Sequence, residues 1–320
     1  AYLNNIGART TQERQRRMLN SEPVNASRHH KIIISASRRT DIPAFYMPWF
    51  MRQIKRGFFE VTNPFNQRVS RVPATPQKVH TIVFWSKNFG PFLDQNYGEQ
   101  LLEQGYHLFF NYTINSDGTD LEPNVPPLKK RLEQLEHLCQ RFGPKTINWR
   151  FDPLCFFKTE VGRLQDNLND FAGIADKAAE CGIVRCITSF MDHYPKIRRR
   201  LSTRPGFVFV DLSLEKKVEI LRGMIKTFAT GNINLSICCE KNLMEAFPRS
   251  LSVSGSSCIP GDLIQKLFGG RLSLKKDTGQ RVKAGCGCTQ STDIGSYRLQ
   301  PCYHNCLFCY ANPASGPGGR

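Results

Sequence analysis

Cys302, Cys306 and Cys309 lie in the stretch CYHNCLFCYA (302–311), spaced C-x3-C-x2-C with Phe308 directly before the last thiol. Three thiolates from one tight loop suit a four-iron cubane cluster, because three protein ligands leave one iron open to a small molecule; four-cysteine sets normally serve electron transfer. Phe308 would form an apolar wall beside such a cluster. The competing chemistry is structural zinc, for which Cys286, Cys288, Cys302, Cys306, Cys309 and His304 offer four thiolates, or three thiolates and an imidazole. The aromatic before the third cysteine and the polar residues gathered at strand ends favour the cluster.

A second set consists of Cys238 (or its neighbour Cys239), Cys258, Cys286 and Cys288. Four thiolates outside the first loop fit an auxiliary cluster or a zinc that pins one segment to another. They equally fit a thiol-rich pocket for a soft substrate atom, or plain burial. Cys139, Cys155, Cys181 and Cys186 sit in apolar helical or strand contexts and are assigned to packing.

These groups need a scaffold. Seven β-branched or aromatic runs recur: KIIISAS (31–37), GFFEVTN (57–63), HTIVFWS (80–86), HLFFNYTIN (107–115), KTINWRFD (145–152), VRCITSF (184–190) and NINLSICC (232–239). Segments with helical period separate most of them. In PLKKRLEQLEHLCQRF (127–142), Leu128, Leu132, Leu135, Leu138 and Phe142 mark one stripe. A second helix fits 211–230, starting at an Asp or Ser cap. The alternation predicts an α/β fold, a βα-repeat with a parallel sheet that forms a partial or full TIM-like barrel over 31–253. Residues 254–311 lose that rhythm and carry six of the twelve cysteines, so they read as a cysteine-rich cap. Residues 1–30 read as a polar extension with one short helix at 10–19, and 312–320 as a flexible tail.

Polar residues collect where each apolar run stops: Ser35, Ser37, Arg38, Arg39 and Asp41; Asn63; Ser86, Lys87 and Asn88; Tyr112 and Asn115; Arg150 and Asp152; Ser189; Cys238 and Glu240. Parallel βα folds build their sites at these C-terminal strand ends, so the residues are expected to converge on one mouth. Arg-Arg, Arg-x-Asp and Trp-Ser-Lys-Asn are costly groups for simple turns.

Composition narrows the classes. A chain of 320 residues with 40% hydrophobic content buries a substantial core. No run of about eighteen apolar residues and no secretory leader is seen, so the expectation is a cytoplasmic protein without membrane contact. Twelve cysteines in a reducing compartment then mean metal or cluster ligation plus buried thiols, not a disulfide framework. The net charge of +17 favours anionic partners, whereas the runs RQRR (14–17) and KIRRR (196–200) read as solvated surface. Phosphate-loop, dinucleotide and His-Glu-x-x-His fingerprints are absent from the sequence.

Taken in order, SASRRTDIPAFY, NPFN, FWSKN, EPNVPP, WRFDP, CCE, SCI, KDTGQR, CGC, STDIGSY and CYHNCLFCYAN resemble a bacterial domain-of-unknown-function family of radical-S-adenosylmethionine-like proteins with a C-terminal cluster motif. The resemblance implies a [4Fe–4S] cluster on Cys302, Cys306 and Cys309, S-adenosylmethionine on its open iron, and a reductase or flavodoxin-type electron donor. It also implies a circularly permuted barrel in which STDIGSY supplies the approach strand that other such enzymes place first. The helix at 10–19 would then stand in for the helix that normally follows the loop. The usual Gly-Gly-Glu stretch is not evident. In this frame Arg38, Arg39 and Arg150 would hold a carboxylate or an anionic substrate, and Asp41 and Asp152 would fix those arginines or accept from ribose hydroxyls. Trp85 and Tyr112 would stack on adenine or screen a radical, with Ser189, Phe308 and Tyr310 beside the cofactor.

The expected activity is reductive cleavage of S-adenosylmethionine, either toward a 5′-deoxyadenosyl radical or toward 3-amino-3-carboxypropyl transfer to a soft acceptor such as trivalent arsenic. Two other classes remain: nucleic-acid lesion repair, since the cysteine loop is also similar to that of spore photoproduct lyase, and a zinc-stabilised basic binding module.

Overall fold

The computed structural model describes residues 30–311 apart from 65, 119, 203, 229–230 and 248–252. Eight strands pair into one sheet: β1 (Ile32–Ala36), β2 (Val79–Ser86), β3 (His107–Thr113), β4 (Ile147–Leu154), β5 (Arg185–Phe190), β6 (Asn234–Ile237), β7 (Ser254–Gly255) and β8 (Thr292–Asp293). Their spatial order is β7-β6-β5-β4-β3-β2-β1-β8, and every pairing is parallel. Parallel neighbours need crossover connections, which the intervening segments supply. β2 and β3 are buried almost throughout, as strands covered on both faces must be.

Side-chain alternation sorts the two faces. Ile34, Phe84, Phe110 and Trp149 pack against the helices Met47–Arg56, Gly90–Asp94, Leu128–Phe142, Phe171–Glu180 and Leu214–Thr227. Ile33, Val83, Phe109 and Ile187 point the other way, onto a cluster made by Ile259, Ile264, Phe268, Leu272 and four buried cysteines. The long helices therefore share one face, and the cysteine-rich segment covers the other. The two expected helices form at Leu128–Phe142 and at Leu214–Thr227, the latter capped by Ser213, which accepts from the Lys216 N–H.

Residues 254–311 are continuous with the sheet, because both β7 and β8 come from them. β8 lies beside β1, pairing Thr292 with Ile34 and Asp293 with Ser35. It falls within STDIGSY, the stretch expected to approach the cysteine loop. β7 and β8 are the two edges of an α/β sheet that is open in its strand pairing. Between them the Gly287 N–H donates to Ser256 O (3.3 Å) and the Thr289 N–H to Ile259 O (3.0 Å), so the chain after β7 is tied to the chain before β8.

One strand expectation is corrected. GFFEVTN forms Phe58–Thr62, which pairs antiparallel with Val69–Pro73 as a separate hairpin. Its exposed Glu60 alternates with buried Phe59 and Val61, the pattern of a ribbon with one wet face. The short helix expected at 10–19, the RQRR run and the tail 312–320 lie outside the described residues. Among the described residues no helix is long and apolar enough to cross a membrane.

Candidate functional site

The chain leaves β1 through Arg38 and Arg39 and reaches Asp41, which caps the short helix Ile42–Phe45 by accepting from the Ala44 N–H at 3.0 Å. The same carboxylate accepts from Ser86 Oγ (2.8 and 3.0 Å) and from the Lys87 N–H (2.9 Å) at the end of β2. It also accepts from His304 Nε2 at 2.9 Å. Asp41 thus joins two strand ends to the cysteine loop. With Nε2 held there and Nδ1 facing Asn124 O at 3.3 Å, His304 has no nitrogen left for a metal, which removes it from the zinc ligand set.

Further contacts fix the loop's backbone. Arg200 donates to the carbonyls of Cys306 (3.1 Å), Leu307 (2.5 Å) and Cys309 (3.1 Å). The Leu307 N–H donates to Leu121 O (2.8 Å), and Asn124 Nδ2 to Tyr303 O (2.8 Å), so EPNVPP braces one flank. Tyr46 donates to Pro301 O (2.6 Å), and Tyr310 donates to Arg38 O (3.1 Å). Asn305 adopts the left-handed region (φ 53) within the loop, and its side-chain oxygen is buried without a partner.

Cys306 is buried, while Cys302 and Cys309 are partly so. Burial raises all three thiols above the ordinary range, Cys302 to about 12, with Asp41 and Cys309 adding to the rise at Cys302. Lys87 opposes this at Cys306 and Cys309, and Arg200 does so at Cys309. Lys87 itself pairs with Glu122 and lies 5.3 Å from the Phe308 ring centre. The donor set fits an iron–sulfur cluster: soft sulfurs near enough to feel one another's charge, on a loop whose outward carbonyls are already satisfied, beside the partly buried Lys87 ammonium.

The second cysteine set is gathered more closely than the sequence required. Cys238 Sγ lies 3.6 Å from Cys239 Sγ and 3.8 Å from Cys258 Sγ. Cys258 lies beside Cys288, Cys288 beside Cys286, and Cys286 beside Cys239, each close enough to shift its neighbour's ionisation. The five form a closed ring, so the choice between Cys238 and Cys239 dissolves. Among the described residues no three His, Cys, Asp or Glu side chains converge on one point as ligands of a bound ion do.

The mouth arginines are already engaged. Arg38 pairs with Asp277 (3.4 Å) and Asp293 (3.3 Å) and lies 5.2 Å over the Trp85 ring. Arg39 donates to Thr62 O (3.0 Å) and Gly295 O (3.1 Å), a tie between the hairpin and the chain after β8. Arg150 pairs with Asp152 and donates to Cys258 Sγ, and Ser189 Oγ donates to Asp152 (2.5 Å). Carboxylates thus hold Arg38 and Arg150, main-chain carbonyls hold Arg39, and Asp41 gathers Ser86, the Lys87 N–H and His304 instead of an arginine. Tyr112 is corrected. It is 0% exposed on the helix face, edge-on to Phe89, with its hydroxyl on Arg131 O and Gln134. Alternation along β3 turns Asn111, not Tyr112, toward the cysteine side.

Asn111 belongs to a ladder that the sequence reading passed over. Arg185 Nε donates to Asn148 (2.7 Å), Asn148 to Asn111 (3.1 Å), and Asn111 to Cys258 O (2.9 Å). Inward amides on β3 and β4 were legible from period-2 counting. Arg200, assigned to a solvated run, carried no local signal, because its partners lie over a hundred positions away. A cavity of about 190 Å³ opens beside Phe308, lined by Asn115, Asp117, Glu122, Asp166 and Asn169 among others.

The chain matches a family model over residues 33–311, well over half its length, and belongs to that family, described as a domain of unknown function (DUF1848). No curated protein matches the chain.

Proposed function

We propose that the protein is a radical S-adenosylmethionine enzyme, its barrel circularly permuted, with Cys302, Cys306 and Cys309 holding a [4Fe–4S] cluster. When bound, the cluster supplies an electron to the sulfonium, which breaks a carbon–sulfur bond. One observation carries the reading. The C-x3-C-x2-C loop stands at the C-terminal ends of a parallel sheet, directly after the strand beside β1, with its backbone clamped by Arg200, Asn124 and the Asp41–His304 pair. In this reading Phe308 excludes water from one side, Lys87 and Arg200 offset thiolate charge, and Asp41 keeps the strand ends and the loop in register.

The test is anaerobic purification with iron and sulfide analysis, then electron paramagnetic resonance of the reduced protein with and without S-adenosylmethionine. A cubane signal that changes shape with the cofactor supports the reading. A colourless protein that takes up no iron on reconstitution sinks it. Product analysis then separates the branches: 5′-deoxyadenosine marks hydrogen abstraction, and methylthioadenosine alone marks 3-amino-3-carboxypropyl transfer.

A further inference from the structure

The ring of Cys238, Cys239, Cys258, Cys286 and Cys288 is built from three stretches brought together at the sheet's end, where β6 pairs with β7 and the Gly287 N–H donates to Ser256 O. Cys238 and Cys239 follow β6, Cys258 follows β7, and Cys286 and Cys288 precede β8. Gly287, between the last two, lets their turn press against the neighbouring chain; a Cβ there would stand 3.0 Å from Ser256 O. Cys239 holds a left-handed backbone (φ 58), a cost an ordinary turn would avoid by using glycine or asparagine. The Ser256 hydroxyl, two residues before Cys258, is buried without a partner. Arg150 donates to Cys258, Arg38 adds its charge beside Cys258 and Cys288, and Arg281 does so beside Cys239. Three guanidiniums thus stand beside the five thiols, each also paired with a carboxylate: Arg38 with Asp277 and Asp293, Arg150 with Asp152, and Arg281 with Asp192.

From this geometry we infer that the ring binds one thiophilic divalent metal ion through four of its thiolates, and that the ion ties β7 to β8 across the open side of the sheet. Sulfur spacing selects a single ion over a second cubane. A tetrahedral centre with metal–sulfur bonds of about 2.3 Å has sulfur–sulfur edges of about 3.8 Å, and Cys238 Sγ stands 3.6 Å from Cys239 and 3.8 Å from Cys258. A cubane puts each ligand sulfur on a different iron and so spreads them beyond mutual contact. The thiols stand as neighbours around the ring without yet sharing one centre, so binding requires rotation about their Cα–Cβ bonds to bring four of them together. Four thiols release their protons, and the resulting dianionic centre lies beside Arg38, Arg150 and Arg281.

The inference stands apart from the proposed radical chemistry, and its test isolates it. The full chain carrying Cys302→Ala, Cys306→Ala and Cys309→Ala is purified anaerobically, freed of metal, and titrated with zinc and separately with cobalt. Expected are about one ion per chain retained through gel filtration, tetrahedral thiolate bands with cobalt, and protection of four further thiols from alkylation when zinc is bound. Cys258→Ser added to that background abolishes the bands, while Cys155→Ser, a buried thiol outside the ring, leaves them. If Cys258→Ser does not fold, the alkylation pattern of the parent protein decides. Absence of stoichiometric metal overturns the inference, as does iron with equimolar sulfide in the triple variant.

Discussion

Asp41 and His304 are 263 positions apart in the chain and meet at 2.9 Å. The contact makes the first strand end and the final loop one unit, and Asp41 also gathers Ser86 and the Lys87 N–H. Buried donors left facing a neutral acceptor lose a charged hydrogen bond, worth about 1.5–3 kcal/mol. Asp41→Asn is therefore expected to lower unfolding stability by roughly that amount and to loosen the cysteine loop. Urea unfolding measures the first effect and proteolysis near residue 304 the second; unchanged values would show that the loop does not depend on this carboxylate.

Arg200 makes a sharper case, because its guanidinium donates to three carbonyls of the cysteine loop. A lysine cannot fork across three oxygens. With the proposed cluster in place, Arg200→Lys is expected to weaken iron retention by roughly 10–100-fold, the usual effect of removing support behind metal ligands. Arg199→Lys, on the exposed side of the same helix, is expected to leave it unchanged.

Tyr112 separates what the sequence suggests from what the sheet allows. Tyr112→Phe is expected to cost about 0.5–1.5 kcal/mol through its lost hydrogen bonds and to leave S-adenosylmethionine affinity untouched. A large fall in affinity by titration calorimetry would return the ring to the cofactor site.

Much of the scaffold was legible because it is local. The leucine stripe at 128–142 and the serine cap at 213 are readable within one helical turn, and apolar runs mark β1 to β6. β8 falls in STDIGSY, which the family resemblance marked as a strand, whereas β7 left no sequence signal because it is only two residues long. The cysteine sets were visible as composition, but their grouping depends on which strand ends lie side by side. Tyr112 failed for the opposite reason: strand ends were read as a group, without counting which residue of each pair faces inward. Arg39 and Arg200 bind main-chain oxygens, which leave no trace in side-chain spacing.

His107 gives the pH dependence. Burial, with His80 at 5.3 Å and Lys31 nearby, lowers its pKa from 6.5 to about 4, while its ring stacks on Phe268 at 4.8 Å. The unfolded chain then binds the proton first, so the contribution is fully present above pH 6.5 and is lost as pH falls toward 4. Linkage puts the loss at about 3 kcal/mol. Urea midpoints taken between those values are expected to fall for the parent and to flatten for His107→Phe. Parallel curves for the two proteins would place the acid sensitivity elsewhere.

The last prediction concerns how the cysteine-rich segment is seated. Gly261 opens the helix Gly261–Phe268, and its N–H donates to Thr289 Oγ1 at 3.0 Å. A Cβ at that position would stand 2.4 Å from the same oxygen and 2.7 Å from Thr289 Cγ2. Thr289 lies one residue beyond Cys288 and three before β8, so it cannot yield without moving the thiol ring or the edge strand. Gly261→Ala is expected to cost about 1–3 kcal/mol by overpacking, despite alanine's better helix propensity. The double change Gly261→Ala with Thr289→Ser removes the clashing methyl and is expected to recover part of the loss. Thermal unfolding of the parent and the two variants checks it: no recovery would mean that the cost does not come from the Thr289 methyl.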